Sequence, residues 1–278
     1  MRVIAVFFGP CAPDVLTAHV SVCSYDFKRL DRFTKLATSA MVYPHGKEFA
    51  CFSWRNCVIL PLQHFAIMRW HQDGEIEMFV TVASYKGGGG KTTTAVHLAA
   101  YLQRLGPTLL IDGDPNRSAT RWAKRGSMPF TIADEKEGAY QARNFQHVVV
   151  DTEARPGSAD FETLAKGCDL LVVPTVPASL DTDVLILTLG AVRKLAPDKY
   201  RVLLTKVPPP PEPEGPQLRQ ELQRQGIPVF TAEIPRLKSF EKAAAEGVPV
   251  YAVHHDQRAK RAWEAYEAAG KEIIHGRE

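Results

Sequence analysis

The stretch S-Y-K-G-G-G-G-K-T-T-T-A, Ser84–Ala95, decides how the rest of this 278-residue chain is read. Gly87, Gly88, Gly89 and Gly90 stand between an apolar run, Phe79–Ala83, and a segment with helical spacing, Thr92–Leu105. Backbone without side chains can curl so that its amides face an anion, and a helix beginning just beyond adds the positive end of its dipole. Lys91 then has the reach for the β- and γ-phosphates of a nucleotide. Thr92 offers a hydroxyl suited to Mg2+, and Thr93 is a phosphate-side or capping neighbour. The spacing departs from the common G-x-x-x-x-G-K-[ST] pattern. Tyr85 takes the place of the first glycine, and an extra lysine, Lys86, follows it.

Outward from this loop the pattern is regular. Buried strands are expected at Phe79–Ala83, Thr108–Ile111, His147–Val150, Leu170–Val173, Arg201–Leu204 and Val229–Ile234. Helices are expected at Thr92–Leu105, Ser118–Arg125, Ala159–Lys166, Asp181–Leu195 and Gln217–Gln225, with a further amphipathic one in D-Q-R-A-K-R-A-W-E-A-Y-E-A-A-G-K-E-I that turns Trp263 and Tyr266 inward. Continuous rather than alternating hydrophobicity indicates an α/β fold with a mostly parallel sheet covered by helices on both faces. Ligands of such sheets bind beyond the carboxyl ends of the strands. Three acids fall there: Asp112 and Asp114 after the second strand, Asp151 at the end of the third. A carboxylate closing a buried strand is costly unless it is hydrated, paired or close to a metal. Asp112 and Asp151 are, with Thr92, the candidates to hold Mg2+, Asp151 through a bound water, and Asp112 or Asp114 also suits the placing of an attacking water. P-P-P-P-E-P-E-G-P, Pro208–Pro216, reads as a stiff excursion between the fifth strand and the next helix.

Composition sets limits. The net charge of +3 does not by itself argue for nucleic acid, and no run approaches the length of a membrane-spanning helix. Four of the five cysteines, Cys11, Cys23, Cys51 and Cys57, precede residue 78 without a C-x-x-C pair, so ordinary thiols are expected rather than a zinc site. The chain divides in character at 77/78. Residues 78–278 suffice for a complete α/β domain, whereas 1–77 hold only three of nineteen glycines and no repeating strand–turn–helix pattern. A short helix is expected at Tyr25–Met41 and a strand within Glu48–Leu62. Three readings of this segment stay open: a poorly ordered extension, a small appendage, or a start placed ahead of the true initiator.

The series S-Y-K-G-G-G-G-K-T-T-T-A-V-H-L-A-A-Y-L, L-L-I-D-G-D-P-N-R-S-A-T-R-W-A-K-R-G, V-V-V-D-T-E-A-R-P, L-L-V-V-P-T-V-P-A-S-L-D-T-D-V-L, V-L-L-T-K and I-P-R-L-K-S-F-E-K-A-A-A-E-G-V-P-V resembles, in order and spacing, the ParA/MinD family of deviant Walker-A ATPases. The resemblance is closest to small ParA-type partition proteins; it covers nearly all of 78–278 and none of 1–77. It implies a P-loop fold, ATP and Mg2+, and an ATP-bound sandwich homodimer in which Lys86 reaches the partner's nucleotide. Lys91 and Thr92 match the phosphate lysine and the magnesium hydroxyl, Asp114 the acid associated with hydrolysis, and Asp151 the Walker-B acid. Lys206 matches the T-K position near the adenine, with Pro235 and Arg236 flanking the base. Two departures stand out. Gly89 replaces the usual Val, Thr or Ser, which loosens the loop without removing an amide, and Asn116 stands where many relatives have Gln.

A positive group supplied by a second subunit binds ATP better than ADP, so ATP favours the dimer and hydrolysis releases it. The resemblance further implies binding of double-stranded DNA without sequence preference, for which Arg236, Lys238, Lys242, Arg258, Lys260 and Arg261 are the candidates. It also implies a cytoplasmic, nucleoid-associated protein and a centromere-binding or cargo-adaptor partner that stimulates hydrolysis. Partition of plasmid or chromosome DNA is the first expectation, positioning of a protein cargo such as carboxysomes the second. A carboxylate ligase of the dethiobiotin or cobyrinate type is the third. The end A-A-G-K-E-I-I-H-G-R-E is too weakly apolar for a stable membrane anchor, and Cys168 alone does not serve an iron–sulfur reductase.

Overall fold

Seven short runs rich in Val, Ile and Leu pair side by side, every pairing parallel. The computed structural model describes residues 2–7, 21–26, 58–62, 65–69, 76–84, 87–153, 158–177, 189 and 198–276, and the chain divides into two units, Met1–His71 and Gln72–Glu278. In the first unit, β1 (Arg2–Phe7) pairs antiparallel with β2 (Ser21–Asp26), and β3 (Val58–Leu62) with β4 (Phe65–Arg69). The helix expected at Tyr25–Met41 is corrected at its start. Tyr25 and Asp26 close a strand, as β-favouring Val22 and Tyr25 allow, and residues 27–41 lie outside the described residues. The strand expected within Glu48–Leu62 is β3.

In the second unit the sheet strands are β5 (Met78–Val82), β6 (Thr108–Asp112), β7 (Thr131–Asp134), β8 (His147–Asp151), β9 (Leu170–Thr175), β10 (Tyr200–Val207) and β11 (Val229–Pro235). Their spatial order is β11-β10-β9-β5-β8-β6-β7. From β5 the chain lays β6 and β7 toward one edge, returns to insert β8 between β5 and β6, then crosses β5 to build β9, β10 and β11 on the other side. β5 therefore stands at the switch point, the place where an open parallel sheet leaves a crevice for ligand beyond its carboxyl edge. Register sets that edge: Val82 lies beside Asp151, Asp151 beside Asp112, and Asp112 beside Asp134.

The helices are α1 (Lys91–Leu102), α2 (Ser118–Ala123), α3 (Glu135–Gln141), α4 (Ser158–Gly167), α5 (Glu214–Arg224), α6 (Ser239–Glu246) and α7 (Ala259–His275). Alternation along each strand divides the core. Val80, Val82, Leu110, Val149, Val172, Leu203 and Phe230 share one apolar cluster with α1, α6 and α7. Their strand neighbours Phe79, Leu109, Ile111, Val148, Val150, Leu171, Val173, Val202 and Leu204 are equally buried on the opposite face. Burial of both faces is why these strands read as unbroken apolar runs.

Strand β7 and helix α3 are not anticipated by the sequence. β7 is a four-residue edge strand with Ala133 alone fully buried, too short and too wet to give an apolar run. The proline-rich excursion is shorter than Pro208–Pro216, because α5 already begins at Glu214. Pro216 is accommodated there because the first turn of a helix has no inward partner for its missing N–H. The helix expected at Asp181–Leu195 falls outside the described residues except for Leu189, which is helical and buried. The amphipathic C-terminal helix is α7, with Trp263 and Tyr266 buried as expected.

Candidate functional site

The glycine loop leaves β5 and enters α1 through left-handed turns that suit glycine: Gly88 at φ +80° and Gly90, the residue capping α1, at φ +88°. The Gly90 carbonyl accepts the Thr94 amide at 2.8 Å, the first turn of α1. Lys91 is buried at the foot of the loop, while Thr92 and Thr93 are half-buried and Gly87 and Gly88 exposed. Tyr85 and Lys86 lie outside the described residues, and so does the role expected of Lys86. Two residues ending β10 hold the loop from outside. The Thr205 hydroxyl donates to the Gly89 carbonyl at 2.8 Å, and the Lys206 ammonium to the Gly88 carbonyl at 2.9 Å.

Asp151 is fully buried at the end of β8. Neither carboxylate oxygen has a hydrogen-bond partner among the described residues, the nearby Thr92 hydroxyl closing none of good geometry. Burial pushes this carboxyl up to about 7; Thr92 and Lys91 oppose the rise, and Asp112 and Asp114 add to it. An orphaned acid beside a lysine and a threonine at the loop's foot fits a cation that arrives with phosphate. Mg2+ is commonly held by one or two carboxylates plus substrate oxygens and waters. Among the described residues no three His, Cys, Asp or Glu side chains form a cage of their own.

The two acids after β6 have local occupations. Asp112 Oδ2 accepts the Thr120 amide at 2.8 Å and hydroxyl at 2.6 Å, and Oδ1 accepts the Asp114 amide at 3.3 Å. Asp112 thus ties the start of α2 to the sheet edge. Arg117, left-handed at φ 51°, donates to the Asp112 carbonyl. Gly113 lets β6 approach β8: its amide donates to the Asp151 carbonyl at 2.8 Å, and a Cβ there would lie 3.0 Å from that oxygen. Asp114 accepts the Asn116 amide and side chain through Oδ1 alone, at 2.8 and 3.0 Å. Its Oδ2 has no protein partner among the described residues. The shorter Asn at 116 suits this local ring.

Helix α2 is also fixed at its far end. Trp122 donates to the Val248 carbonyl at 3.2 Å, and Gly126 and Gly247 meet backbone to backbone. Buried His97 of α1 spans the same core, its Nδ1 2.6 Å from the Thr93 carbonyl while its Nε2 accepts the Val250 amide at 3.0 Å. The ring stacks on Tyr266 at 4.7 Å.

On the other side of the loop, Pro235 pairs with Val207, and the Arg236 amide donates to the Val207 carbonyl at 2.8 Å. The Arg236 guanidinium lies 3.0 and 3.1 Å from the two carboxylate oxygens of Glu212, which latches the proline-rich excursion to this segment. Of the other cations expected at a DNA face, Lys242 pairs with Asp256 at 3.1 Å and Lys260 with Glu264 at 3.9 Å. Lys238, Arg258 and Arg261 have no acidic partner within 4 Å among the described residues. Sequence reasoning overlooks Thr205, Gly113 and Thr120. The signals were present in a buried hydroxyl ahead of Lys206, a glycine between two acids, and a threonine two residues into a short helix.

Residues 80–250 match the family described as CobQ/CobB/MinD/ParA nucleotide binding domain. The chain is 40% identical over 178 residues to maintenance of carboxysome distribution protein A of Gloeobacter kilaueensis, covering 62% of this chain and 82% of that protein. It is 37% identical over 115 residues to protein ParA of Rhizobium radiobacter, covering 38% of this chain and 51% of that protein. The fold is that of Cyanothece McdA solved as an ATP complex of a point variant, with a TM-score of 0.55, 16% identity, and coverage of 73% of this chain and 98% of that one. A family match over more than half its length, on a parallel sheet whose switch point carries the deviant loop, places the chain in the CobQ/CobB/MinD/ParA nucleotide-binding family, as a P-loop ATPase of the ParA/MinD type.

Proposed function

We propose that this protein is an ATP-driven, dimerising switch that positions a large protein assembly of the carboxysome kind, using nonspecific DNA as its track. The observation that carries the cargo is the 40% identity running through 82% of a carboxysome distribution protein, where the match to a ParA protein spans 51%. This favours the second sequence expectation over DNA partition.

In this reading Lys91 and the amides of Gly87–Lys91 bind the ATP phosphates, while Thr92 and Asp151 hold Mg2+, Asp151 through its coordinated water. Bound Mg2+ supplies neutralisation of the charge on the phosphates. Asp114, its Oδ1 locked by Asn116 and its Oδ2 open, orients the attacking water. Lys86 reaches the partner subunit's nucleotide, which makes dimerisation depend on ATP. Lys238, Arg258 and Arg261, without acidic partners, meet DNA phosphates first. The ion pairs of Arg236 and Lys260 are exposed on both partners and worth at most about 1 kcal/mol each, so phosphate can displace them, whereas Lys242 is paired to the largely buried carboxylate of Asp256 and is held more firmly.

The test uses the full-length chain with saturating ATP. Wild type is expected to dimerise and be retained on arbitrary duplex DNA, Lys86→Ala to remain monomeric, and Asp114→Ala to dimerise without turnover. A wild type that stays monomeric sinks the switch. Deleting the gene is expected to disperse a protein cargo; loss of a plasmid with cargo spacing intact would restore the partition reading.

A further inference from the structure

Thr205 and Lys206 are consecutive residues of β10, and in a regular strand their side chains would point to opposite faces of the sheet. Both instead grip the same glycine loop. The backbone explains how. Lys206 is left-handed at φ 52°, and the β10–β11 register slips between Leu204↔Glu233 and Val207↔Pro235, three residues on one strand against two on the other. One extra residue on β10 with a left-handed residue inside it is a bulge, and bulges re-aim side chains beside functional sites. A lysine held left-handed is strained by about 1–2 kcal/mol, so surrounding contacts must enforce it.

The two carbonyls they hold determine where loop amides point. A trans peptide is planar, so the carbonyl of one residue and the N–H of the next point in opposite directions. Fixing the Gly88 carbonyl toward Lys206 sends the Gly89 N–H the other way. Fixing the Gly89 carbonyl toward Thr205 does the same for Gly90, and the Gly90 carbonyl, bonded to Thr94, sets the Lys91 N–H. Three successive amides are oriented before any phosphate arrives. In a run of four glycines no side chain restricts the backbone, and glycine has the most freedom to lose.

We infer that Lys206 is a positioning residue of this ATPase: through the Gly88 carbonyl, with Thr205 beside it, it preorganises the amides of the Gly87–Gly90 loop for the phosphates and replaces the stiffness that a side chain at 89 would give. The role differs from contact with the adenine, and it makes the need for Lys206 depend on the identity of residue 89.

The experiment compares Lys206→Gly, Lys206→Met and wild type, each with Gly89 and with Gly89→Thr, in the full chain. Lys206→Gly removes the hydrogen bond and the left-handed strain together, so the nucleotide-free protein is expected to melt no lower than wild type. Its affinity for ADP is expected to fall about ten-fold, the scale of one charge-assisted hydrogen bond. Hydrogen exchange of the peptide spanning the loop is expected to accelerate in the nucleotide-free state. Lys206→Met is expected to match it in affinity and loop exchange, and in the Gly89→Thr background both losses shrink to about three-fold or less. Unchanged ADP affinity overturns the inference. So does a loss of affinity with loop exchange unaltered, which marks a base contact. A Lys206→Gly chain whose nucleotide-free stability falls in step with affinity overturns it as well, and equal losses in the two backgrounds overturn the link to residue 89.

Discussion

Replacing Asp151 by asparagine is expected to make the nucleotide-free protein more stable and the loaded protein less so. A folded-state pKa of about 7 against the ordinary 3.8 corresponds to about 4 kcal/mol, the cost of ionising this carboxyl in its buried site. The sign follows from proton binding. Between pH 4 and 7 the folded chain holds a proton that the unfolded chain has released, so the Asp151 contribution to stability falls as pH rises and is lost above about 7. Asparagine has the same shape and no ionisation to suppress. Its amide is as poorly partnered as the acid it replaces, which offsets part of the gain, about 1–3 kcal/mol. A net advantage of about 2 kcal/mol at pH 8, shrinking toward zero by pH 5, is expected. Urea unfolding of both chains without nucleotide or Mg2+ measures it, and subtraction cancels the titrating groups that do not interact with Asp151. With Mg–ADP present the order is expected to invert, because only the wild type gains from the cation. Urea midpoints of the two chains that run parallel from pH 5 to 8 would refute the reasoning.

Three further outcomes follow from other parts of the molecule. His97 is held neutral, its pKa pushed down to about 4 by burial, so its contribution of about 3 kcal/mol is whole above pH 6.5 and fades as pH falls toward 4. The difference in urea unfolding between wild type and His97→Gln from about pH 4.5 to 7 reports this slope, and profiles that run parallel contradict it. Gly247→Ala is expected to cost about 3 kcal/mol or more, since φ is +73° and a Cβ would lie 2.2 Å from the Gly126 nitrogen; a thermal melt within a degree of wild type refutes it. Thr120→Val removes the shorter of the two bonds to Asp112 Oδ2. It is expected to cost about 1–3 kcal/mol in stability and to lower kcat more than ATP affinity, which steady-state kinetics separates.

The parts of the fold legible in the sequence are those where one local pattern suffices. β5, β6 and β8 are sealed on both faces, so their apolar runs survive without context, and the acids that end β6 and β8 mark the edge where the site lies. The glycine loop is legible for the same reason: the residues that shape it are contiguous. β7 is not, because an edge strand with one fully buried residue carries no period. The second occupation of Asp112 was hidden too. Nothing local distinguishes an acid that faces a cation from one that ties down a helix start eight residues on. Lys206 was legible as a site residue but not for what it touches, since a bulge that turns neighbouring side chains to one side is invisible to a strand's alternating pattern. His97 reads as one polar residue in an apolar helix; its two hydrogen bonds come from a turn of its own helix and from Val250, far along the chain.

The outer margin of the sheet at β11 bears on how copies of this chain can meet. The amides of Thr231 and Ala232 are spent on the carboxylate of Glu272, at 2.8 and 2.6 Å, and the carbonyls of Phe230 and Thr231 on Arg219, at 2.8 and 3.3 Å. An incoming strand would have to evict a glutamate from α7 and an arginine from α5 before forming its first ladder bond. That margin is closed to open-ended stacking of sheet on sheet. On the proposed dimerising cycle, copies of this chain would then meet through faces that respond to nucleotide and not through pairing at this strand edge.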